Sequence, residues 1–147
     1  MDITEQVTIV SAGVFFLTGL LTGIWKYRQI MASENAQAHP YVDICHRASL
    51  LYAFAAILLL KFVEISQLST TVELIAASAV LIYFSSAIIT YMVHGLLQDT
   101  ENQLKPPFRV GNTAMSARAV SIHMWMLIVA EVGGFIVLFY GVLIEVF

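Results

Sequence analysis

The composition of the chain is that of a membrane protein. Its 147 residues are 59% hydrophobic and 12% charged, about half the charged fraction of a soluble domain. A net charge of −3 with only seven lysines and arginines argues against a nucleic-acid partner. The single cysteine, Cys45, excludes an internal disulfide and a thiolate-held iron–sulfur cluster.

Four apolar segments are long enough to cross a hydrocarbon layer of about 30 Å. They predict helices over residues 7–27, 40–65, 72–97 and 117–146. The fold class we expect is therefore an all-α integral membrane protein, a single domain built as a four-helix transmembrane bundle. The acidic start of the chain lacks the basic region of a signal peptide, so the first apolar run is expected to stay as a helix.

Local signals mark the ends of these segments. Trp25-Lys26-Tyr27-Arg28 is an aromatic and basic interfacial anchor at the end of the first helix. Pro40 suits the first turn of the second helix, because its missing N–H has no helical partner there. Pro106-Pro107 and Gly111 predict a non-helical segment over residues 98–116.

Basic residues give the chain an orientation. The membrane face that holds both termini has only one basic residue, Lys61, and Glu64 three residues later is expected to pair with it. The face that holds the loops between helices one and two and between three and four carries the other six: Lys26, Arg28, Arg47, Lys105, Arg109 and Arg118. By the positive-inside rule the loops are cytoplasmic and both termini lie outside, in what we expect to be a bacterial inner membrane.

All four histidines fall at that loop face. His39 and His46 begin the second helix, His94 lies near the end of the third, and His123 lies near the start of the fourth. On the second helix His39, Asp43 and His46 are spaced i, i+4, i+7, which places them on one stripe. Two imidazoles and a carboxylate can provide a metal ligand and the acceptor that sets its tautomer. The alternative is that these are interfacial side chains that face water and headgroups.

Further polar residues lie inside the predicted spans. Tyr83, Ser86, Thr90 and His94 share one face of the third helix, and we expect Tyr83 and Thr90 to line a pocket, although small polar residues also bind neighbouring helices. Glu131 lies near the middle of the fourth helix, where a carboxylate costs about 2.5–3.5 kcal/mol. It is therefore protonated, paired or next to a hydrated cavity. Asp43, Tyr83, Thr90 and Glu131 are the candidate catalytic residues.

Glycines on the first helix indicate a packing face. Gly19-x-x-x-Gly23 places two glycines one turn apart, which allows a neighbouring helix to approach closely.

The histidines suit haem b or a non-haem metal ion. No Cys-x-x-Cys-His motif is present, so haem would not be covalently attached. Bis-histidine ligation would join His39 or His46 to His94 or His123, whereas one axial histidine would leave an open position for Lewis-acid chemistry. The arginines expected to bind haem propionates are Arg28, Arg47 and Arg118.

The first half of the chain resembles a known family. Phe16-Leu17-Thr18-Gly19-Leu20-Leu21-Thr22-Gly23, followed after a polar loop by Gln37-Ala38-His39, is similar to the hydroxylaminobenzene mutases and styrene oxide isomerases. The resemblance covers about the first 60 residues and the helix plan. It implies that His39 is the axial ligand of haem b and that the protein is a homotrimer. Two features depart from the family: Cys45-His46 stands where the family has Asn-Gly, and the third helix reads Tyr83-Phe84-Ser85-Ser86.

The resemblance favours a haem-b-binding membrane isomerase. Iron held by His39 would polarise an oxygen of a small apolar substrate, aromatic or hydrocarbon-derived, that enters from the bilayer. Three alternatives remain: a bis-histidine haem protein that transfers electrons, a non-catalytic subunit of a larger membrane complex, and a non-haem metal site. The last would be built from His39, Asp43, His46, His94 and His123.

The orientation is testable by cysteine labelling. In a chain whose native Cys45 is replaced by alanine, we expect a membrane-impermeant reagent applied outside the cell to label a cysteine at position 2. A cysteine placed between residues 98 and 116 should react only after the membrane is opened. Labelling of the loop alone from outside would reverse the orientation.

Overall fold

The computed structural model describes all 147 residues and consists of four long helices, two short connections and one small hairpin. The hairpin pairs its two strands antiparallel, Arg109 opposite Ala114 and Val110 opposite Thr113. The elements in chain order are α1 (Ile3–Ala32), α2 (Pro40–Ile65), α3 (Thr70–Leu97), β1 (Arg109–Val110), β2 (Thr113–Ala114) and α4 (Ala117–Val146).

Each helix is long and apolar enough to cross a membrane. The helices contain 26 to 30 residues, and the mean hydropathy of their most apolar 18-residue windows is 2.0 to 2.4. At 1.5 Å per residue they measure roughly 39–45 Å, so their ends extend beyond the hydrocarbon layer or the helices tilt. The predicted fold class, a four-helix transmembrane bundle, is confirmed.

The helix ends agree with the sequence except on α1 and α3. α1 begins four residues before the predicted start because Asp2 and Glu5 form a capping box. The Glu5 N–H donates to Asp2 Oδ1 at 2.8 Å, and the Asp2 N–H donates to Glu5 Oε2 at 2.9 Å. It also continues past the basic anchor to Ala32, and α3 begins two residues early, at Thr70. α2 and α4 have the predicted bounds.

The central pair of helices is α2 and α3. α1 packs chiefly against α2, α4 packs against α3 and α2, and α1 does not touch α4. The core between them is built largely from small residues, among them Ala53, Ala56, Ala76 and Ala77. Small side chains allow helix backbones to approach closely, which is the main source of packing energy inside a bilayer.

The predicted glycine face on α1 is confirmed. A Cβ on Gly19 would lie 2.5 Å from Leu50 Cδ2, and one on Gly23 would lie 2.9 Å from the His46 ring. Near the termini face, Lys61 and Glu64 form the expected ion pair at 2.9 Å.

Two adjacent glycines of α4 provide a test of this packing. A Cβ on Gly134 would lie 2.6 Å from the Ala76 carbonyl oxygen, whereas one on Gly133 meets no atom within 4 Å. We expect Gly134→Ala to lower the free energy of unfolding by about 1–3 kcal/mol, because backbone atoms of α3 must move. Unfolding in detergent by a denaturant titration measures it. Gly133→Ala is the matched control, and equal stability of the two variants would contradict the packing of α4 on α3.

Candidate functional site

A buried histidine–carboxylate pair lies at the loop end of the bundle. His94 Nδ1 is 2.7 Å from Asp99 Oδ1, and the two side chains are only 3% and 6% exposed. The pair forms because Gln98, the C-cap residue that follows α3, has a left-handed conformation (φ 49°) and turns the chain so that Asp99 returns to the last turn of the helix. The Gly111 N–H, from the turn between β1 and β2, donates to the other oxygen of the Asp99 carboxylate.

The hydrogen bonds of Asp99 decide its charge and the tautomer of His94. Burial acts to raise the pKa of Asp99, but the hydrogen bonds from His94 and Gly111 outweigh it and hold that pKa below its usual range. The carboxylate is therefore ionised at neutral pH and can only accept. His94 must then donate from Nδ1, and in the neutral ring Nε2 keeps its lone pair. This is the arrangement that orients an imidazole to act as a base or as a ligand.

His94 opens onto a small cavity between α3, α4 and the hairpin. The volume of this cavity, which we call the His94 cavity, is about 260 Å³. Its wall is mostly apolar, with a few polar groups that converge on the same space. The lining residues are Thr90, His94, Gln103, Leu104, Phe108, Arg109, Val110, Met115, Ala119, Val120, His123 and Met124.

The polar groups of the cavity come from three elements. Thr90 and His94 are one turn apart on α3, as the sequence stripe predicted, and His123 faces them from α4. Gln103 Oε1 is buried and has no hydrogen-bond partner within the chain. Tyr83 does not line the cavity, but its ring lies 6.0 Å from that of His123, measured between centroids.

Tyr41 connects α2 to this site. Its side chain is buried, its ring centroid lies 5.0 Å from that of His94, and its hydroxyl accepts a hydrogen bond from the Gln103 N–H. The interaction with Gln103 holds the loop after α3 against the helix bundle. Tyr41 therefore positions both the histidine and one wall of the cavity.

His39 lies elsewhere. It is the N-cap of α2, and its Nδ1 accepts a hydrogen bond from the Tyr41 N–H at 3.3 Å, which places the proton of the neutral ring on Nε2. It lines a separate, largely polar cavity together with Gln29, Gln98 and Glu101. An iron bound at Nε2 would need the other tautomer and the loss of this cap. His39, as it lies in a single chain, does not fit an axial ligand, and its role as a haem ligand stays a prediction of the resemblance.

The stripe on α2 is engaged in packing and ion pairs. The Asp43 carboxylate binds Lys26 Nζ at 2.6 Å and an Arg47 nitrogen at 2.8 Å, and contacts no histidine. His46 Nδ1 lies 2.8 Å from the Gly19 carbonyl oxygen, to which it donates. In this structure the Asp43 carboxylate thus binds two cations, and its role in setting the tautomer of a histidine stays a prediction.

The proposed five-residue metal site is not assembled. No three histidine, cysteine or carboxylate side chains converge closely enough to hold a metal ion, and His39 and His94 line different cavities. Of the arginines expected to bind propionates, Arg47 is paired with Asp43. Arg28 lines a groove beside Trp25, and Arg118 is exposed.

Glu131 lies apart from the His94 cavity, inside the bundle. Its Oε1 is buried without a hydrogen-bond partner, which agrees with the expectation that a carboxyl at this depth is not an ordinary surface charge. Glu73, in the first turn of α3, is also buried with an unpartnered oxygen and did not stand out in the sequence.

The main residue that the sequence analysis missed is Asp99. A local signal exists, since His94 and Asp99 are five residues apart across the predicted end of a helix. The signal is weak, because an aspartate in that position returns to the helix only if the residue before it adopts the left-handed conformation. Gln98 is not a residue that predicts this.

The Asp99–His94 pair predicts a pH dependence of stability. The pKa of Asp99 is lower in the folded chain than its ordinary value of 3.8, so its stabilisation is fully present above about pH 4 and is lost as the pH falls through the folded value. We expect Asp99→Asn to flatten the loss of thermal stability between about pH 5 and pH 2. Thermal unfolding in detergent across this range measures it, with the exposed Glu101→Gln as control. An acid slope equal to that of the parent would contradict the pairing.

Comparisons with known proteins do not assign a family or a function to this chain. No family model, curated protein or solved structure matches this chain. The functional argument therefore starts from the geometry of the His94 cavity.

Proposed function

We propose that the chain is a membrane isomerase that moves a proton within a small, largely apolar substrate bound in the His94 cavity. The observation that carries the proposal is the buried Asp99–His94 pair, which opens onto an apolar cavity that a second imidazole, His123, also lines. A carboxylate-oriented imidazole is a general base, and a buried one is shielded from competing water.

The chemistry follows from the positions of the two histidines. His94 Nε2 takes a proton from the substrate, and the Asp99 carboxylate stabilises the imidazolium that forms. The same proton, or one from His123 on the opposite wall, returns to a different atom of the substrate. One bond to hydrogen breaks and another forms, so the reaction needs neither an oxidant nor a second substrate.

The cavity also indicates the class of substrate. Its volume, 260 Å³, lies just below the usual range of about 300–1,000 Å³ for small-molecule sites, so the substrate is small. Its wall suits an aromatic or hydrocarbon body. The unpartnered Gln103 Oε1 favours a substrate that carries one hydrogen-bond donor, such as a hydroxyl or an amine, because an unmatched buried acceptor is costly.

The haem mechanism implied by the resemblance is a separate proposal. It assigns the chemistry to His39 and to a homotrimer, whereas the proton-transfer proposal assigns it to His94 within each chain. The two mechanisms share the substrate class and differ in the histidine that is essential.

The decisive experiment compares histidine variants of the purified protein. The test substrates for proton transfer are small aromatic compounds that carry a hydroxyl or an amine beside an acidic C–H bond, and products are separated by chromatography. Aromatic epoxides and aryl hydroxylamines, which the resemblance implies, test the haem mechanism in parallel. We expect His94→Gln and Asp99→Asn to lower kcat about 10²–10⁴-fold, the usual contribution of general acid–base catalysis. Tyr140→Phe, on the exposed surface of α4, is the control and should retain the parent rate.

An optical spectrum of the same preparations separates the two mechanisms. The haem mechanism predicts a Soret band that disappears in His39→Ala, with activity lost in that variant and retained in His94→Gln. That result would contradict the proton-transfer proposal. Activity lost in His94→Gln and retained in His39→Ala supports proton transfer.

A further inference from the structure

We infer that Glu131 holds a proton inside the membrane and exchanges it with the loop face along a line of tyrosines, Tyr91 and Tyr41, that ends at the Asp99–His94 pair. This proton route goes beyond the proposed function and does not depend on it, because the proton can be followed without any substrate.

The first observation concerns the protonation of Glu131. One of its carboxyl oxygens is buried and accepts no hydrogen bond, and none of the ion pairs of the chain includes it. A bare carboxylate in an apolar bilayer without a partner is strongly disfavoured. The protonated form removes the charge and provides one O–H donor, so Glu131 is held as a neutral acid.

The second observation is that two tyrosines from different helices lie within electrostatic range of this acid. Tyr52 of α2 and Tyr91 of α3 are electrostatic neighbours of Glu131, and their hydroxyls lie next to each other. Tyr52 is fixed by a parallel stack on Phe84, with 4.1 Å between ring centroids. A carboxylic acid on α4 thus lies within electrostatic range of two tyrosine hydroxyls, one on α2 and one on α3.

The third observation extends this cluster toward the loops. The ring centroid of Tyr91 lies 6.0 Å from that of Tyr41, which in turn lies 5.0 Å from that of His94. The Tyr41 hydroxyl already accepts from the Gln103 N–H, so its own proton is free to be donated, and Asp99 is an electrostatic neighbour. Tyr91, Tyr41 and His94 therefore form a series of neighbouring rings that leads from the surroundings of Glu131 to the loop face.

Helical spacing explains why these residues fall in line. Tyr41 and Tyr52 are eleven residues apart on α2, which is close to three full turns, and Tyr91 and His94 are three apart on α3. Each pair therefore lies on one face of its helix. Because α2 and α3 are in contact, the two faces bring the tyrosines together.

The transfer itself is a relay of O–H bonds. The O–H bond of Glu131 breaks as a new O–H bond forms on the Tyr91 hydroxyl, and the proton that Tyr91 held passes on toward Tyr41. From Tyr41 the proton reaches the Asp99–His94 pair, and return transfer restores each group. No electron is gained or lost. A step longer than one hydrogen bond, such as the one that leaves the unpartnered Glu131, requires a water molecule to enter the bundle and bridge it.

Infrared spectroscopy of the reconstituted protein tests the route. The carboxylic-acid C=O stretch that disappears in Glu131→Gln belongs to Glu131, and its shift after transfer to D₂O reports how fast its proton exchanges. We expect Tyr91→Phe to slow this exchange at least about tenfold, equivalent to a barrier higher by about 1.4 kcal/mol. Tyr41→Phe should slow it similarly, and the exposed Tyr140→Phe should leave it unchanged.

Two results would overturn the inference. The absence of a carboxylic-acid band that depends on Glu131 would show that the residue is ionised. A parent-like exchange rate in folded Tyr91→Phe or Tyr41→Phe would show that the proton reaches solvent by another way. Either tyrosine variant suffices, so failure of one to fold leaves the test intact. Neither result bears on the His94→Gln assay.

Discussion

Polar groups inside a bilayer have no water to bind, and this constraint governs where chemistry can occur in the chain. The backbone meets it through helices: 100 of 112 backbone hydrogen bonds lie within helices and strands. Buried hydroxyls meet it by donating one turn back, as Thr8 does to the Thr4 carbonyl at 2.7 Å and Ser49 to the Cys45 carbonyl at 2.7 Å. Few buried polar side chains therefore keep an unused hydrogen-bond donor or acceptor, and those that do are candidates for chemistry.

These side chains form two regions with different character. At the loop end, the Asp99 carboxylate is satisfied on both oxygens, and the Nε2 nitrogen of His94 has no hydrogen-bond partner within the chain. Deeper in the bundle, Glu131 has an oxygen with no hydrogen-bond partner and lies within electrostatic range of the Tyr52 and Tyr91 hydroxyls. The first arrangement suits a group that takes and returns protons, and the second suits a group that stores one. Tyr41 and Tyr91 lie between them.

The fold was predictable because it depends on patterns that are local in sequence. Apolar length set the four spans, Pro40 marked the start of α2, and Gly19 with Gly23 marked a close contact. The site was predictable only in part. Thr90 and His94 share one face of α3, as the sequence predicts, and they line the cavity. The spacing on α2 and the family resemblance instead favour His39 and Asp43. That spacing did not reveal that His39 caps its own helix or that Asp43 faces Lys26 from α1. Both facts depend on how separate segments meet.

Asp99 and Gln103 show the same limit more sharply. Their roles depend on a left-handed residue after α3 and on a loop that returns to Tyr41, a residue 62 positions earlier in the chain. The hydrophobic periodicity of the sequence predicts neither the left-handed residue nor the return of the loop. The residues that sequence patterns select are those that share a helix face, whereas this site is completed by the connection between two helices.

The central claim is that His94 donates from Nδ1 to an ionised Asp99 and keeps Nε2 for the cavity. Nuclear magnetic resonance of the protein labelled with ¹⁵N at histidine, in nanodiscs at neutral pH, tests it directly. The account predicts one slowly exchanging, strongly downfield ring proton bonded to Nδ1, absent in His94→Gln and shifted upfield in Asp99→Asn. A His94 ring that exchanges freely with water, or that carries its only proton on Nε2, would contradict the account.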